Sequence, residues 1–268
     1  KKKGLGPIKE SKSPEYDQED LLGLISEDLK SPVDIREIIS RITDGSQFEE
    51  FKPLYGQTMI CGWACIHGYQ IGVLGNNGPI YPECAEKAAT FIQLCNKRDI
   101  PLIFLQNVTG FLVGKDFERQ AIIKKGSQMI NAVSNSTVPH ITIIVGASYG
   151  AGTYAMSGRA YNNRFTFLWP TAKIAVMGPE QIAGVMSIVR KAKAMRTGEK
   201  FDEKADAEIV KMVEDAAERM SHALVASSML TDDGIIDPRD TRKIIAFCLS
   251  ICNNIPIEGA KEYGVFRL

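Results

Sequence analysis

One device, used twice, constrains the fold of this chain more than any other feature. Pro101 opens the apolar run PLIFLQNV, which passes into the glycine-bearing turn TGFLVG and then into a helical pattern over about residues 115–134. Pro139 opens PHITIIVG, which passes into ASYGAG and a helical pattern through Tyr154 and Met156. A helical stretch over about 83–98, with Ala88, Phe91, Ile92 and Cys95 on one face, precedes the first unit. An unbroken apolar strand must have both of its faces covered, and proline and glycine mark where each strand begins and ends. Strands of that kind alternating with helices pack as a largely parallel sheet between helical layers, so the expected class is α/β.

The remaining segments fit around that core. TMICGWACI and QIGVLG are apolar runs split by His67-Gly68, which predicts a β-hairpin. RFTFLWP and KIAVMG read as further strands. Pro179 to about Met195, about Asp202 to Ser227, and Pro238 to Asn253 with Asp237 as N-cap read as helices. Residues 1–30 are charged and weakly periodic, which predicts a linker-like extension with one short helix. The domain proper is expected to begin near Ser31, read as the N-cap of a helix. Pro32 takes its first turn, Ile35, Ile38, Ile39 and Ile42 line one face, and Gly45 stops it.

Composition removes several classes of function. With 268 residues, 44% of them hydrophobic, the chain can bury a full core as one large domain or two small ones. Lys+Arg and Asp+Glu balance at 32 each, which argues against nucleic acid as a partner, since phosphate binding needs a basic excess. No apolar run is long enough to span a membrane. The six cysteines (61, 65, 84, 95, 248 and 252) form no CxxC pair and only three histidines accompany them, so reduced core thiols and no metal site are expected. The chain starts at Lys1 without signal or transit peptide, as a fragment or processed product would.

Both glycine turns stand where a buried strand hands over to a helix. The first N–H groups of a helix have no partner within it, and glycine lets a ligand approach the backbone closely. Such turns bind phosphate or stabilise an enolate or tetrahedral oxyanion, and a lone one also serves tight packing. Neither turn fits GxxxxGK[ST] or GxGxxG, and the GxSxG elbow of hydrolases is missing.

Side-chain candidates are few, and each has a structural reading beside the chemical one. His140 is a core histidine or a general base, His67 lies in a turn, and His222 lies inside a helix. Tyr149 is a pocket wall, a hydrogen-bond donor or a core ring. Glu180 begins a helix, where the dipole alone favours a carboxylate. Arg159 and Arg164 flank a loop and suit a carboxylate, a phosphate or solvent. Met177, Met186, Met195, Met212 and Met220 read as core, and KAKAMRTGEKFDEKADAE as a solvated hinge. The composite is an enzyme that works through backbone amides, which suits a thioester enolate whose base comes from a cofactor or the substrate.

Longer stretches carry a resemblance. NNGPIYPECAEKAATFIQLCNKRDIPLIFLQNVTGFLVGKDFE, VPHITIIVGASYGAGTYAMSGRAY, WPTAKIAVMGPEQ, DDGIIDPRDTR and the terminal Gly264-Val265-Phe266-Arg267 resemble the carboxyltransferase (beta) subunits of biotin-dependent acyl-CoA carboxylases. Thr109-Gly110-Phe111 and Tyr149-Gly150-Ala151-Gly152 are similar to the methylcrotonyl and geranyl branches. The propionyl and acetyl branches tend to carry a proline before the Gly-Phe and YGGAY in the second turn. The resemblance implies a crotonase-like superhelix of stacked β-β-α units. Residues 31–268 would be the C-terminal carboxyltransferase domain, and the N-terminal one would be absent from this chain.

The implied reaction moves CO2 from carboxybiotin to an acyl-CoA enolate of the 3-methylcrotonyl type, a step of leucine breakdown. Backbone N–H groups of Ala151 and Gly152 would form the oxyanion hole on the biotin side. Gly110, Phe111 and Gly114 would line the meeting point of biotin and acyl group, with Tyr149 and Gly150 beside them. Asn76, Asn77 and Gly78 match the stretch tied to acyl-CoA binding. Biotin would arrive on an alpha subunit, which alone would use ATP. The beta subunits would assemble as a hexamer, in the mitochondrial matrix of a eukaryote or the cytoplasm of a bacterium. Three alternatives stand beside this. One is a propionyl- or geranyl-type carboxyltransferase, and another is a hydration or isomerisation, whose carboxylate pair is not evident beside either turn. The third is a non-catalytic docking and oligomerisation half.

Overall fold

The structure is a computed structural model that describes residues 6–26, 28 and 31–263. Gly264-Val265-Phe266-Arg267 therefore lie outside the described residues. The first half of the chain contains α1 (Leu21–Leu24), α2 (Ile35–Ile42), β1 (Glu49–Glu50), β2 (Met59–Ile66), β3 (Tyr69–Asn76), α3 (Pro82–Lys97), β4 (Leu102–Val108), α4 (Lys115–Arg119) and α5 (Ile122–Ser134). Then follow β5 (His140–Tyr149), α6 (Ala151–Ala155), β6 (Phe165–Leu168), β7 (Lys173–Ala175), α7 (Pro179–Thr197), α8 (Glu203–Ser221), α9 (Ala223–Ser228) and α10 (Thr241–Cys252).

Among the described residues the strands form one seven-stranded sheet in the order β1-β2-β3-β4-β5-β6, with β7 beside β5. The expected hairpin is β2 and β3, antiparallel from Met59 opposite Asn76 to Ile66 opposite Tyr69. His67 (φ 47°) and Gly68 (φ 78°) are both left-handed, the turn whose twist matches the flanking strands. From β3 onward every pairing is parallel. The two prolines of the repeat open adjacent strands. The carbonyl of Pro101 accepts from Gly72 N (2.9 Å) and that of Pro139 from Leu102 N (2.9 Å), so the donor each proline lacks falls at the first position of its strand.

Alternation along the strands divides the core into two layers. Ile103, Leu105, Ile141, Ile143 and Val145 face Ile35, Ile38, Ile39 and Ile42 of α2 and Ile245 and Leu249 of α10. Leu102, Phe104 and Val108 face Phe91, Ile92 and Cys95 of α3 and Met129, Ala132 and Val133 of α5. Both faces of the sheet are covered, as a parallel sheet requires. The segment before Ser31 joins the first layer through Leu21 and Ile25, and Ile8 N donates to Gly68 O (3.0 Å) at the hairpin turn. All six cysteines are free thiols.

Three helix boundaries differ from the expectation. Helix α2 starts at Ile35, not at Ser31. Asp34 caps it by accepting from Arg36 N (3.0 Å), and the Asn77 side chain accepts from Ile35 N (2.7 Å). The stretch 115–134 is two helices, broken where Ala121 turns left-handed (φ 65°). The stretch after Asp202 is also two, because His222 is extended (φ −60°, ψ 147°) and lies at a junction, not within a helix.

One buried ion pair ties these parts together. Asp44 accepts from His67 N (2.9 Å) and Gly68 N (2.7 Å) in the hairpin turn and from Arg242 Nη2 (2.6 Å) on α10. Arg242 also donates to the carbonyls of Ile42 (2.9 Å) and Lys12 (2.8 Å). Removing one partner leaves a buried charge uncompensated, which typically costs about 3–5 kcal/mol. Asp44→Ala should therefore lose stability on that scale in chemical denaturation. Asp44→Asn, which keeps an acceptor for the turn, should fall between it and the parent.

Candidate active site at the paired glycine turns

β4 and β5 run in register from Leu102 opposite His140 to Gln106 opposite Ile144, and then a bulge intervenes so that Val108 stands opposite Ser148. Asn107 closes the bulge by accepting from Ala147 N (3.1 Å). The bulge carries the end of β5 over the end of β4, and the two glycine turns meet there. A Cβ placed on Gly152 would lie 2.8 Å from Val108 Cγ2 and 3.1 Å from Gly110 Cα, so the backbones touch and no side chain fits between them. Gly150 (φ 57°, ψ −140°) adopts a conformation reserved to glycine, and a Cβ there would lie 3.1 Å from the Val176 carbonyl. Its N–H donates to Ala175 O (3.0 Å), which fastens this turn to β7.

The turns present unpaired amides. Among the described residues the N–H groups of Ala151 and Gly152 have no acceptor, whereas the next amide, Thr153 N, donates to Gly150 O (3.2 Å). Ala151 is exposed and Gly152 buried. On the other turn, the Gly110 carbonyl accepts from Ile80 N (3.0 Å), and Leu112 N donates to Ile80 O (3.1 Å). Gly114 caps α4. The Phe111 ring turns inward, since a Cβ on Gly126 of α5 would lie 3.1 Å from its Cε1, so Phe111 offers the turn only its backbone. Tyr149 is half-buried beneath the head of α7. Burial, with Glu218 behind it, pushes its hydroxyl up to about 12, so it stays a neutral donor.

Asn76, Asn77 and Gly78 are placed differently. Asn76 is buried with its Nδ2 3.9 Å from Met59 Sδ. Asn77 spends its side chain on α2, donating to Asp34 Oδ1 (2.8 Å) and accepting from Ile35 N (2.7 Å). Gly78 (φ 150°) leads on to Ile80, whose bridge with Phe111 joins this segment to the first turn. The structure thus brings together Gly110, Tyr149, Gly150, Ala151 and Gly152, and it uses Asn77 to build the fold.

Comparison with known proteins places the chain in a family. The profile of the carboxyl transferase domain family matches residues 3–265. The chain belongs to that family. It is 55% identical over 95% of its length to a probable biotin-dependent acyl-coenzyme A carboxylase beta2 subunit of Mycobacterium tuberculosis, of which it covers 48%. It is 48% identical over 96% of its length to a mitochondrial methylcrotonoyl-CoA carboxylase beta chain of Arabidopsis thaliana, of which it covers 44%. Among solved structures, the beta subunit of Pseudomonas aeruginosa geranyl-CoA carboxylase superposes with a TM-score of 0.86 at 44% identity, over 97% of this chain and 50% of that one. The fold is accordingly crotonase-like, and the chain spans about half the length of the relatives it matches.

The other polar candidates of this carboxyl transferase domain lie away from the two turns or at helix ends. Arg159 pairs with Asp233 (2.9 and 3.1 Å), Arg164 is exposed at the start of β6, and Glu180 sits in the first turn of α7. The methionines read as core are not buried. Met177, Met186, Met195, Met212 and Met220 are 39%, 42%, 84%, 64% and 59% exposed, among Val176, Ile188, Val189 and Leu224 on the surface of α7 to α9. Helical spacing marks an apolar face without saying what covers it. Among the described residues no helix is long and apolar enough to cross a membrane. The residues that close the bulge were missed, although a signal was present: Gln106 and Asn107 interrupt an otherwise apolar strand.

His140 is a core histidine at the far end of β5, about 30 Å from the turns along the strand. Its Nδ1 lies 2.8 Å from Ser157 Oγ and its Nε2 2.7 Å from Ser136 Oγ. Burial drives it down to about 4 from the ordinary 6.5, so the folded protein keeps it neutral. Between those two values the unfolded chain binds a proton that the folded one does not, and stability must rise with pH across that window. Relative to His140→Gln, the parent should gain roughly 3 kcal/mol between acid and neutral pH, read from denaturation midpoints. A pH-independent difference between the two would overturn the assignment.

Proposed function

We propose that this domain is the carboxyl-terminal half of a carboxyltransferase subunit and moves a carboxyl group from biotin to an acyl-CoA of the 3-methylcrotonyl type. The observation that carries the proposal is the pair of unpaired amides at Ala151 and Gly152, held against Gly110. Biotin fits this site because the turns offer N–H donors without side chains in front of them, and added Cβ atoms at Gly150 and Gly152 would fill the space or part the turns. When bound, biotin supplies the carboxyl group for transfer and a carbonyl oxygen on which negative charge gathers as that group leaves.

The chain's own part is positional and electrostatic. The amides of Ala151 and Gly152 point fixed dipoles at the charged oxygen, and they need no proton transfer and little reorganisation to do so. Contact between Gly110 and Gly152 sets the distance at which donor and acceptor groups meet. Tyr149, neutral at physiological pH, forms a wall below the turn. The Phe111 and Gly114 backbone and the segment from Asn76 to Gly78 flank the acyl side. The acyl type is supported by the Thr109-Gly110-Phe111 and Tyr149-to-Gly152 turns and by the methylcrotonoyl-CoA and geranyl-CoA names of relatives.

The domain works as part of a larger assembly. The apolar surface of α7 to α9 suits the other half of the active site, and biotin arrives on an alpha subunit that alone uses ATP. A hexamer of beta subunits is supported by a likeness to the transcarboxylase 12S subunit, 29% identical with a TM-score of 0.84, whose structure is described as a hexamer assembly. The site of action is the mitochondrial matrix in a eukaryote and the cytoplasm in a bacterium.

The test is the reverse reaction in the full-length subunit, with 3-methylglutaconyl-CoA as donor and free biotin as acceptor. Turnover is expected. Silence with this and with longer branched donors would leave only a docking role. Ala151→Pro removes one amide at the first position of α6, where proline is tolerated, while Ala151→Ser keeps it. Losing one such donor costs about a hundredfold or more in kcat, so Ala151→Pro should fall below Ala151→Ser by that factor. Equal rates in the two variants would sink the amide role.

A further inference from the structure

Beneath the unpaired amides lies a closed ring of buried polar groups that no residue in the proposed reaction uses. Gln106 on β4 donates from Nε2 to the Met156 carbonyl (2.6 Å), and Ser148 on β5 donates from Oγ to Gln106 Oε1 (2.6 Å). Ser148 Oγ also lies 2.9 Å from Thr153 Oγ1 on α6. A carbonyl can only accept, so the amide of Gln106 must turn its NH2 to Met156 and its oxygen to Ser148. The single proton of Ser148 is then spent on Gln106, and the Thr153 hydroxyl must be the donor to Ser148. The sense of every bond follows: Thr153 to Ser148, Ser148 to Gln106, Gln106 to Met156.

The ring starts and ends on the same element. Thr153 lies in α6, and Met156 N, just past its end, donates to Gly152 O (3.0 Å). Gln106, Ser148 and Met156 are wholly buried. Hydrogen bonds that run in one sense through a dry interior reinforce one another, and an unmade bond there is costly. Helix α6 has only five residues and cannot hold its own orientation by internal hydrogen bonds.

We infer that Gln106, Ser148 and Thr153 are positioning residues that set the direction of the Ala151 and Gly152 amides by clamping α6 to both strands at the bulge. This role depends on the carboxyl-transfer activity proposed above. It explains why polar residues stand wholly buried at Gln106 and Ser148 in β4 and β5. Misdirection by an ångström at such a site costs about tenfold to a hundredfold in rate while leaving a distant binding surface untouched.

The experiment uses the full-length subunit in the same reverse assay. Thr153→Val keeps shape and loses the hydroxyl, and kcat should fall about tenfold or more with KM for the CoA donor unchanged. Thr153→Ser, which restores the hydroxyl, should recover most of that loss. Gln106→Glu accepts from Ser148 in either charge state but donates to Met156 only when protonated. Its kcat should therefore drop as pH rises through the new carboxyl's titration, a profile the parent lacks. Parent-like kcat in Thr153→Val together with a parent-like pH profile in Gln106→Glu would overturn the inference. If Thr153→Val does not fold, the Gln106→Glu profile decides alone. If the parent subunit itself is silent, the proposed reaction has failed, and hydrogen exchange of residues 150–156 then decides. Faster exchange in the folded variants than in the parent supports the clamp, and equal exchange overturns it.

Discussion

The backbones of the two turns touch at Gly110 and Gly152, and most of the structure can be understood as making that contact possible. Two parallel strands in strict register would send their ends out side by side. The bulge between Gln106 and Val108 breaks the register and lets β5 overhang β4. Side chains meet backbone groups at and beside the bulge: Asn107 accepts from the Ala147 amide, and Gln106 donates to the Met156 carbonyl. A buried polar group without a partner is costly enough that a kink of this kind persists only when it is satisfied throughout.

In the proposed reaction that contact gives a site that works with backbone, not with side chains. The only ionisable group of the turns themselves is Tyr149, which burial keeps neutral. Amides have no pKa to tune near neutrality, so their efficacy depends wholly on direction and on the exclusion of water. Direction comes from below, through the strands. In the proposed reaction exclusion would come from above, where Ile188, Val189, Met195 and Leu224 are exposed on α7 and α9 among charged side chains. The chain matches about half the length of its relatives, and exposed apolar residues, Val176 and Met177 among them, stand beside the turn at Gly150.

Much of the fold was legible because it depends on local rules. The repeat of proline, apolar run and glycine turn predicts the parallel strands β4 and β5, and His67-Gly68 predicts the hairpin. Where the reading failed, the cause was long-range. Ser31 is a good N-cap in isolation, but Asn77, distant in sequence, supplies the acceptor at Ile35 and moves the start of α2. Ala121 and His222 break helices whose periodicity continues across the break, since spacing of apolar residues does not register a single backbone turn. The methionines of α7 and α8 have helical spacing in common with core residues, and spacing alone cannot tell a buried face from one that waits for a partner.

The sequence by itself determined the class of fold, the two turns and the family, because strand and helix patterning, glycine placement and motif order are properties of neighbours along the chain. Only the tertiary structure decided that Gly152 abuts Gly110, that Ala151 and Gly152 keep free amides, and that Gln106, Ser148 and Thr153 close a ring beneath them. Those facts concern groups on different strands whose distances are set by sheet register and by one bulge. A shift of a single residue in that register would leave the local patterns unchanged and would take the site apart.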